Sequence, residues 1–126
     1  MPVQHTFDAH GRWDGLTLDE IVPLVVQEVV GALDPLEVIL FGSVARGEDG
    51  PDSDIDLLVV FDHVEPEAKR LRMAEVRRSI KTAAPIDVLV TDPEEIEARR
   101  DQVGSMLYWP LREGRSVYRR ARADAG

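Results

Sequence analysis

Leu40-Phe41-Gly42-Ser43, ten intervening residues, then Asp54-Ile55-Asp56-Leu57-Leu58-Val59-Val60 is the stretch whose reading decides the fold. A Gly-Ser turn closes one short apolar run, and two carboxylates two residues apart open a second. Residues i and i+2 of a strand point to the same face. Asp54 and Asp56 at the mouth of a strand therefore project side by side, and two adjacent carboxylates repel unless a cation lies between them. Mg²⁺, which takes one or two carboxylates together with substrate phosphate oxygens, suits such a pair. The spacing points to a metal-dependent site for phosphoryl or nucleotidyl transfer.

Working outward, Thr17-Leu18-Asp19-Glu20 is a capping box ahead of an apolar helix that runs to about Leu33. Pro23 falls within its early turns and is expected to shift or kink it, and Asp34-Pro35 ends it. Glu37 to Phe41 reads as a first strand, and Gly42 to Arg46 as a turn opening a short helix. Residues 47–53 are loop chemistry throughout. Ile55 to Phe61 reads as a buried central strand. Glu65 to about Ala83 is expected to form a helix with Leu71, Ala74, Val76 and Ile80 towards the core. Ile86 to Thr91 is a third strand, Pro93 to about Arg100 a helix with proline at its favoured first position, and Ser105 to Glu113 another short helix. Val117-Tyr118 is a candidate edge strand. The order α-β-α-β-α-β-α predicts a compact α/β domain, with a loose arm over residues 1–16, the domain over 17–118 and a basic tail over 119–126.

Asp87 adds a third carboxylate. It follows Ile86 and precedes Val88-Leu89-Val90, so it is expected as a charge opening a buried run, and an unpaired buried carboxylate is costly. Sharing a metal or a proton with Asp54 and Asp56 on a neighbouring strand removes that cost. Three convergent carboxylates suit two Mg²⁺ ions, one activating an attacking oxygen and one stabilising a leaving pyrophosphate. Gly42 permits close approach of backbone to phosphate, Ser43 adds a hydroxyl, and Arg46 reaches either a phosphate or a nearby loop acid.

Two rival motifs fail. Gly42 to Gly47 has the glycine spacing of a P-loop, but Glu48 and Asp49 stand where it needs Lys and Ser or Thr. Asp52, Asp54 and Asp56 have the spacing of a calcium-binding EF-hand loop, but Leu57 replaces its glycine and an apolar strand follows. The plainer alternative, turn residues capping a strand, leaves Gly42, Ser43 and Asp87 unexplained.

Gly42-Ser43, Arg46-Gly47, Asp54-Ile55-Asp56, the later Pro85-Ile86-Asp87-Val88 and the closing Tyr108-x-x-Leu111-Arg112-Glu113-Gly114 together resemble the minimal nucleotidyltransferases of the DNA polymerase β-like superfamily. The likeness runs from about Leu18 to Tyr118. It implies a small mixed β-sheet flanked by helices, ATP or another NTP as substrate, two Mg²⁺ ions, and transfer of NMP to an acceptor hydroxyl. Asp54, Asp56 and Asp87 match the metal-binding catalytic triad, and Gly42, Ser43 and Arg46 the nucleotide-binding turn. Val44 departs from the polar or basic residue of many relatives. The shortness of the chain and the resemblance together imply an acceptor presented by another protein. That partner is expected to be a HEPN-domain toxin, which an antitoxin of this type inactivates by adding AMP. A binding module that neutralises its partner by contact alone, and a stand-alone transferase for a small molecule, are the alternatives.

The remaining features exclude more than they assign. The formal net charge of −9 disfavours direct nucleic-acid binding, which needs a basic face. With no cysteine, disulfides, thiolate nucleophiles and cysteine zinc sites are out. Residues 1–15 lack the apolar core of a signal peptide and no apolar run reaches membrane-spanning length, so a cytoplasmic protein is expected. His5, His10 and His63 lack metal-site spacing. Met106 to Leu111 reads as core or as a docking patch.

Overall fold

The computed structural model describes residues 12–50 and 52–121. Most of the expected arm and the end of the expected tail lie outside the described residues. Residues 12–16 do not behave as a loose arm. Trp13 and Leu16 exchange backbone hydrogen bonds of 2.8 and 2.9 Å across Asp14-Gly15. Both turn residues have positive φ (52° and 81°), the geometry in which Asp-Gly closes a two-residue hairpin. Trp13 and Leu16 then pack against the main core.

Helix α1 (Leu18–Leu33) begins at the expected capping box, with the Thr17 hydroxyl accepting from the Glu20 N–H and the Glu20 carboxylate accepting from the Thr17 N–H. Pro23 does not interrupt it. The prolyl nitrogen and Asp19, four residues earlier, both lie on the exposed face, where water serves the carbonyl that the ring cannot reach. The buried stripe Leu18, Ile21, Val22, Val25, Val26 and Val29 follows helical spacing.

Four strands, β1 (Glu37–Phe41), β2 (Ile55–Val60), β3 (Ile86–Thr91) and β4 (Arg115–Arg119), form one mixed sheet in the order β3-β2-β1-β4. β1 is antiparallel to β2 and β4, and a register shift between Val38 and Ile39 kinks its pairing with β4. β2 and β3 are parallel, with Asp56 opposite Asp87 and Leu58 opposite Leu89. A parallel pair needs a crossover. Helix α3 (Lys69–Ser79), entered through a 3-10 turn at Pro66–Ala68, supplies it.

The sheet buries both faces. Val38, Leu40, Leu57, Val59, Val88 and Val90 pack with α1 and Val76 of α3. Ile39, Leu58, Val60 and Leu107 pack on the other side with Phe41, Leu89, Ile96 and Leu111. That second face carries α4 (Pro93–Arg99) and α5 (Tyr108–Glu113). No helix among the described residues is long and apolar enough to cross a membrane.

Two expectations about α3 need correction. It ends at Ser79, not near Ala83: the Ser79 hydroxyl donates to the Val76 carbonyl at 2.6 Å, competing with the helix, and Ile80 is already extended. Leu71 is 61% exposed. The inward stripe is Met73, Val76 and Ile80, to which Leu71 is out of phase. The tail also begins later than expected. Arg119 belongs to β4, and Arg120 donates its N–H to the Leu36 carbonyl at 2.8 Å and pairs with Asp34 and Asp62.

Asp92, which has no counterpart among the residues singled out by sequence, fastens the loop after β2 to the start of α4. It is 5% exposed, and its carboxylate accepts from the Val64 N–H and the Glu95 N–H, both at 2.8 Å. Burial alone would raise its pKa, but the two backbone donors and nearby His63 and Lys69 hold it below the usual carboxylate value. Asp92→Ala orphans both donors, and the melting temperature should fall by about 10 °C, for a loss of about 2–3 kcal/mol.

Candidate active site

The strand alternation puts Asp56 on the same face as Leu58 and Val60, and Asp87 on that of Leu89. In-register parallel pairing makes Asp56 and Asp87 direct neighbours at the ends where β2 and β3 begin. Asp54 stands just before β2, close enough to Asp87 to feel its charge.

Burial first, and then the Asp87 carboxyl and its charge, raise the Asp54 pKa above the ordinary value. Asp56 is pushed up to about 6, first by burial and then by the charges of Asp87 and Asp54, with Arg46 acting in the opposite direction. The three carboxylates therefore concentrate negative charge that Arg46 does not balance. Among the described residues, no three or more His, Cys, Asp or Glu side chains are arranged so that as they stand they could hold a metal ion.

Asp87 itself is exposed, which corrects the expectation of a buried charge. It lies at the open start of an edge strand, where solvent reaches it.

The Gly-Ser turn meets the carboxylates at one atom. Gly42 follows the last residue of β1 with φ of 77°, in the left-handed region that glycine enters at little cost. A Cβ there would overlap the Asp56 carboxylate Oδ2 and stand 3.1 Å from its Cγ. Glycine is required twice over, by the backbone angle and by the carboxylate packed against it.

Helix α2 (Gly42–Arg46) starts at this glycine, and Phe41 offers its first N–H groups no capping side chain. Ser43 sits half-buried in that first turn, and its hydroxyl makes no hydrogen bond among the described residues. Arg46 closes α2 facing two acids. Its Nε donates to Glu48 at 3.0 Å and its Nη1 to Glu113 at 3.4 Å. The structure thus gathers Asp54, Asp56, Asp87 and Gly42 directly, with Arg46 in electrostatic reach of Asp56. Glu113 appears in the sequence only as part of the closing Tyr108-to-Gly114 motif, and its pairing with Arg46 is what sequence reasoning missed: 67 positions separate the two, and no local pattern signals such a pair.

Gly42→Ala forces a side chain into the Asp56 carboxylate and strains the turn by about 1–2 kcal/mol. The variant should fold with a lowered melting temperature, and displacement of Asp56 should cut nucleotidyl transfer about 100-fold, measured by pyrophosphate release.

Asp56→Asn should have the opposite effect on stability. A carboxyl whose folded pKa lies above its unfolded value binds its proton more tightly in the folded state, so its ionisation destabilises the fold as pH rises from about 4 to 6. At pH 7.5 the asparagine variant should melt about 2–4 °C above the parent, after allowance for solvent screening, and the gap should close by pH 4.

Residues 24–112 match the family model described as a nucleotidyltransferase domain. The crystal structure of a candidate nucleotidyltransferase from Sulfolobus solfataricus is similar in fold, with a TM-score of 0.60 and 28% sequence identity over 82% of this chain and 81% of that one. Among curated proteins, none matches. The carboxylates on two parallel strands, and the glycine turn packed against one of them, lie within a family match spanning most of the chain, and the chain belongs to the nucleotidyltransferase domain family.

Proposed function

We propose that this nucleotidyltransferase moves AMP from ATP to a hydroxyl of a partner polypeptide, using divalent metal held by Asp54, Asp56 and Asp87. The observation that carries the reading is the packing of the Gly42 backbone against Asp56, with Asp87 in register beside it. It brings a turn suited to phosphate and a cluster of carboxylates to one place.

The donor set fits a hard cation: it is all oxygen, it comes from adjacent strands, and Asp87 raises the pKa of both Asp54 and Asp56. Divalent metal at these carboxylates supplies charge neutralisation for the triphosphate and lowers the pKa of the attacking hydroxyl. The chain's own residues do the rest. Uncapped N–H groups at the start of α2 and the Ser43 hydroxyl offer donors to phosphate oxygens, and Arg46 offers its remaining N–H groups. Asp87, exposed at the edge of the sheet, takes the proton of the acceptor hydroxyl. The acceptor oxygen bonds to the α-phosphorus, the bond from that phosphorus to the bridging oxygen breaks, and pyrophosphate leaves with the electron pair.

Apolar surface near the carboxylates supports a polypeptide acceptor. Met106 is 70% and Trp109 57% exposed, and Met106 borders a groove of about 440 Å³ lined in part by Met73, Leu89 and Leu107. Leu89 is two residues from Asp87 on the same strand face. Exposed Met and Trp suit a protein interface, and the net charge of −9 disfavours a nucleic-acid acceptor. The resemblance to minimal nucleotidyltransferases makes a HEPN-domain toxin the proposed partner and an antitoxin role the proposed purpose.

With labelled ATP, Mg²⁺ and the purified product of the neighbouring gene, label should pass to that partner with release of pyrophosphate. The Asp54→Ala/Asp56→Ala double variant should lose transfer by at least about 100-fold while still binding the partner. Full neutralisation by that variant would assign the antitoxin effect to contact alone, and absence of label on the partner with normal binding would sink the reading.

A further inference from the structure

We infer that Glu113 is a positioning residue for nucleotide binding: from the end of α5 it orients Arg46 so that one edge of the guanidinium faces the incoming phosphates. This rests on the assignment of Arg46 to the nucleotide above.

Arg46 is engaged on two sides. Glu48 takes Nε at 3.0 Å and Glu113 takes Nη1 at 3.4 Å, while Nη2 has no partner among the described residues. A guanidinium is planar and its donors are fixed in direction, so two anchored edges determine where the third points. Arg46 also acts on the charge of Asp56, which places its group in the electrostatic field of the carboxylate site.

The two acids differ in what they report. Glu48 lies two residues from Arg46, just after α2, and moves with the same turn. Glu113 arrives from a separate element whose placement is independently set. Gly114, immediately after it, has space for no side chain: a Cβ would overlap the Pro110 carbonyl oxygen and stand 2.6 Å from Ile39 Cγ2 and 3.1 Å from the Leu40 carbonyl oxygen. The Gly114 N–H also donates to the Pro110 carbonyl at 3.0 Å. The end of α5 is thereby seated on β1, two residues before the Gly42 turn. Glu113 is a fixed post relative to the site, and Arg46 is the arm tied to it.

Glu113 and Arg46 are both about half exposed, so the pair contributes little to folding and substitutions there leave a folded protein. Removing an anion from an acidic chain should, by general electrostatics, improve binding of anionic ATP. Loss of a positioning contact should do the reverse, and the sign separates the two.

The test is the affinity of wild type, Glu113→Gln, Arg46→Ala and the double variant for ATP with Mg²⁺, measured by calorimetric titration, with melting temperatures alongside. Steady-state pyrophosphate release gives KM and kcat. Glu113→Gln should weaken ATP binding about 2–5-fold, raise KM by a similar factor and leave kcat and melting temperature unchanged. In the Arg46→Ala background the same substitution should have no further effect. Unchanged or tighter binding by Glu113→Gln, or an equal loss with Arg46 already removed, overturns the inference while the carboxylate assignment stands. Failure of the wild-type protein to bind ATP with Mg²⁺ overturns the functional reading and this inference with it.

Discussion

The parallel register of β2 against β3 is the constraint on which the rest depends. It sets Asp56 beside Asp87, and no slip of one residue is tolerated, because that would turn Leu57 and Val59 from one buried face to the other. The apolar residues that follow on both strands hold the register, so the repulsion between the carboxylates is carried by burial elsewhere on the same strands. Parallel pairing also demands α3, whose Val76 closes the face opposite the site. The chemistry at one end of the sheet is thus secured by packing along its length.

Two acids in this fold meet burial in opposite ways. Asp92 is nearly inaccessible and still ionises readily, because two backbone N–H groups point at it. Asp56 is less buried, yet its neighbours are acids, and its proton is held to about pH 6. Burial raises both, first for each, and the partners decide which way each carboxyl finally moves. The first arrangement strengthens the fold, whereas the second weakens it at neutral pH and leaves a group whose charge can be answered by a ligand.

Local chemistry made much of this legible in the sequence. The capping box at Thr17 and Glu20, the apolar runs of β1, β2 and β3, and proline at the start of α4 each signal an element without help from distant residues. The Gly-Ser turn and the Asp-x-Asp pair carried the site because glycine at positive φ and alternate carboxylates on a strand are local requirements. What escaped is non-local. Leu71 has the apolarity of a core residue, but α3 faces the sheet with a different stripe. Asp92 looks like an ordinary helix cap until Val64 arrives from another loop to use its second oxygen. Asp87 was expected inside because apolar residues follow it, and only the order of strands, which leaves β3 at the edge, shows why it is outside. The Arg46–Glu113 pair depends on how α5 crosses the sheet.

The kink in the pairing of β1 with β4 has a consequence for assembly. A sheet edge can recruit further strands without limit, but β4 is short, follows a register shift, and bears Arg115 and Arg119, each held by an acid of its own chain. A strand laid against it would meet a twisted ladder and charged side chains. Addition of a further strand is blunted on that side, which leaves β3 as the one sheet edge without such a guard of register shift and paired arginines.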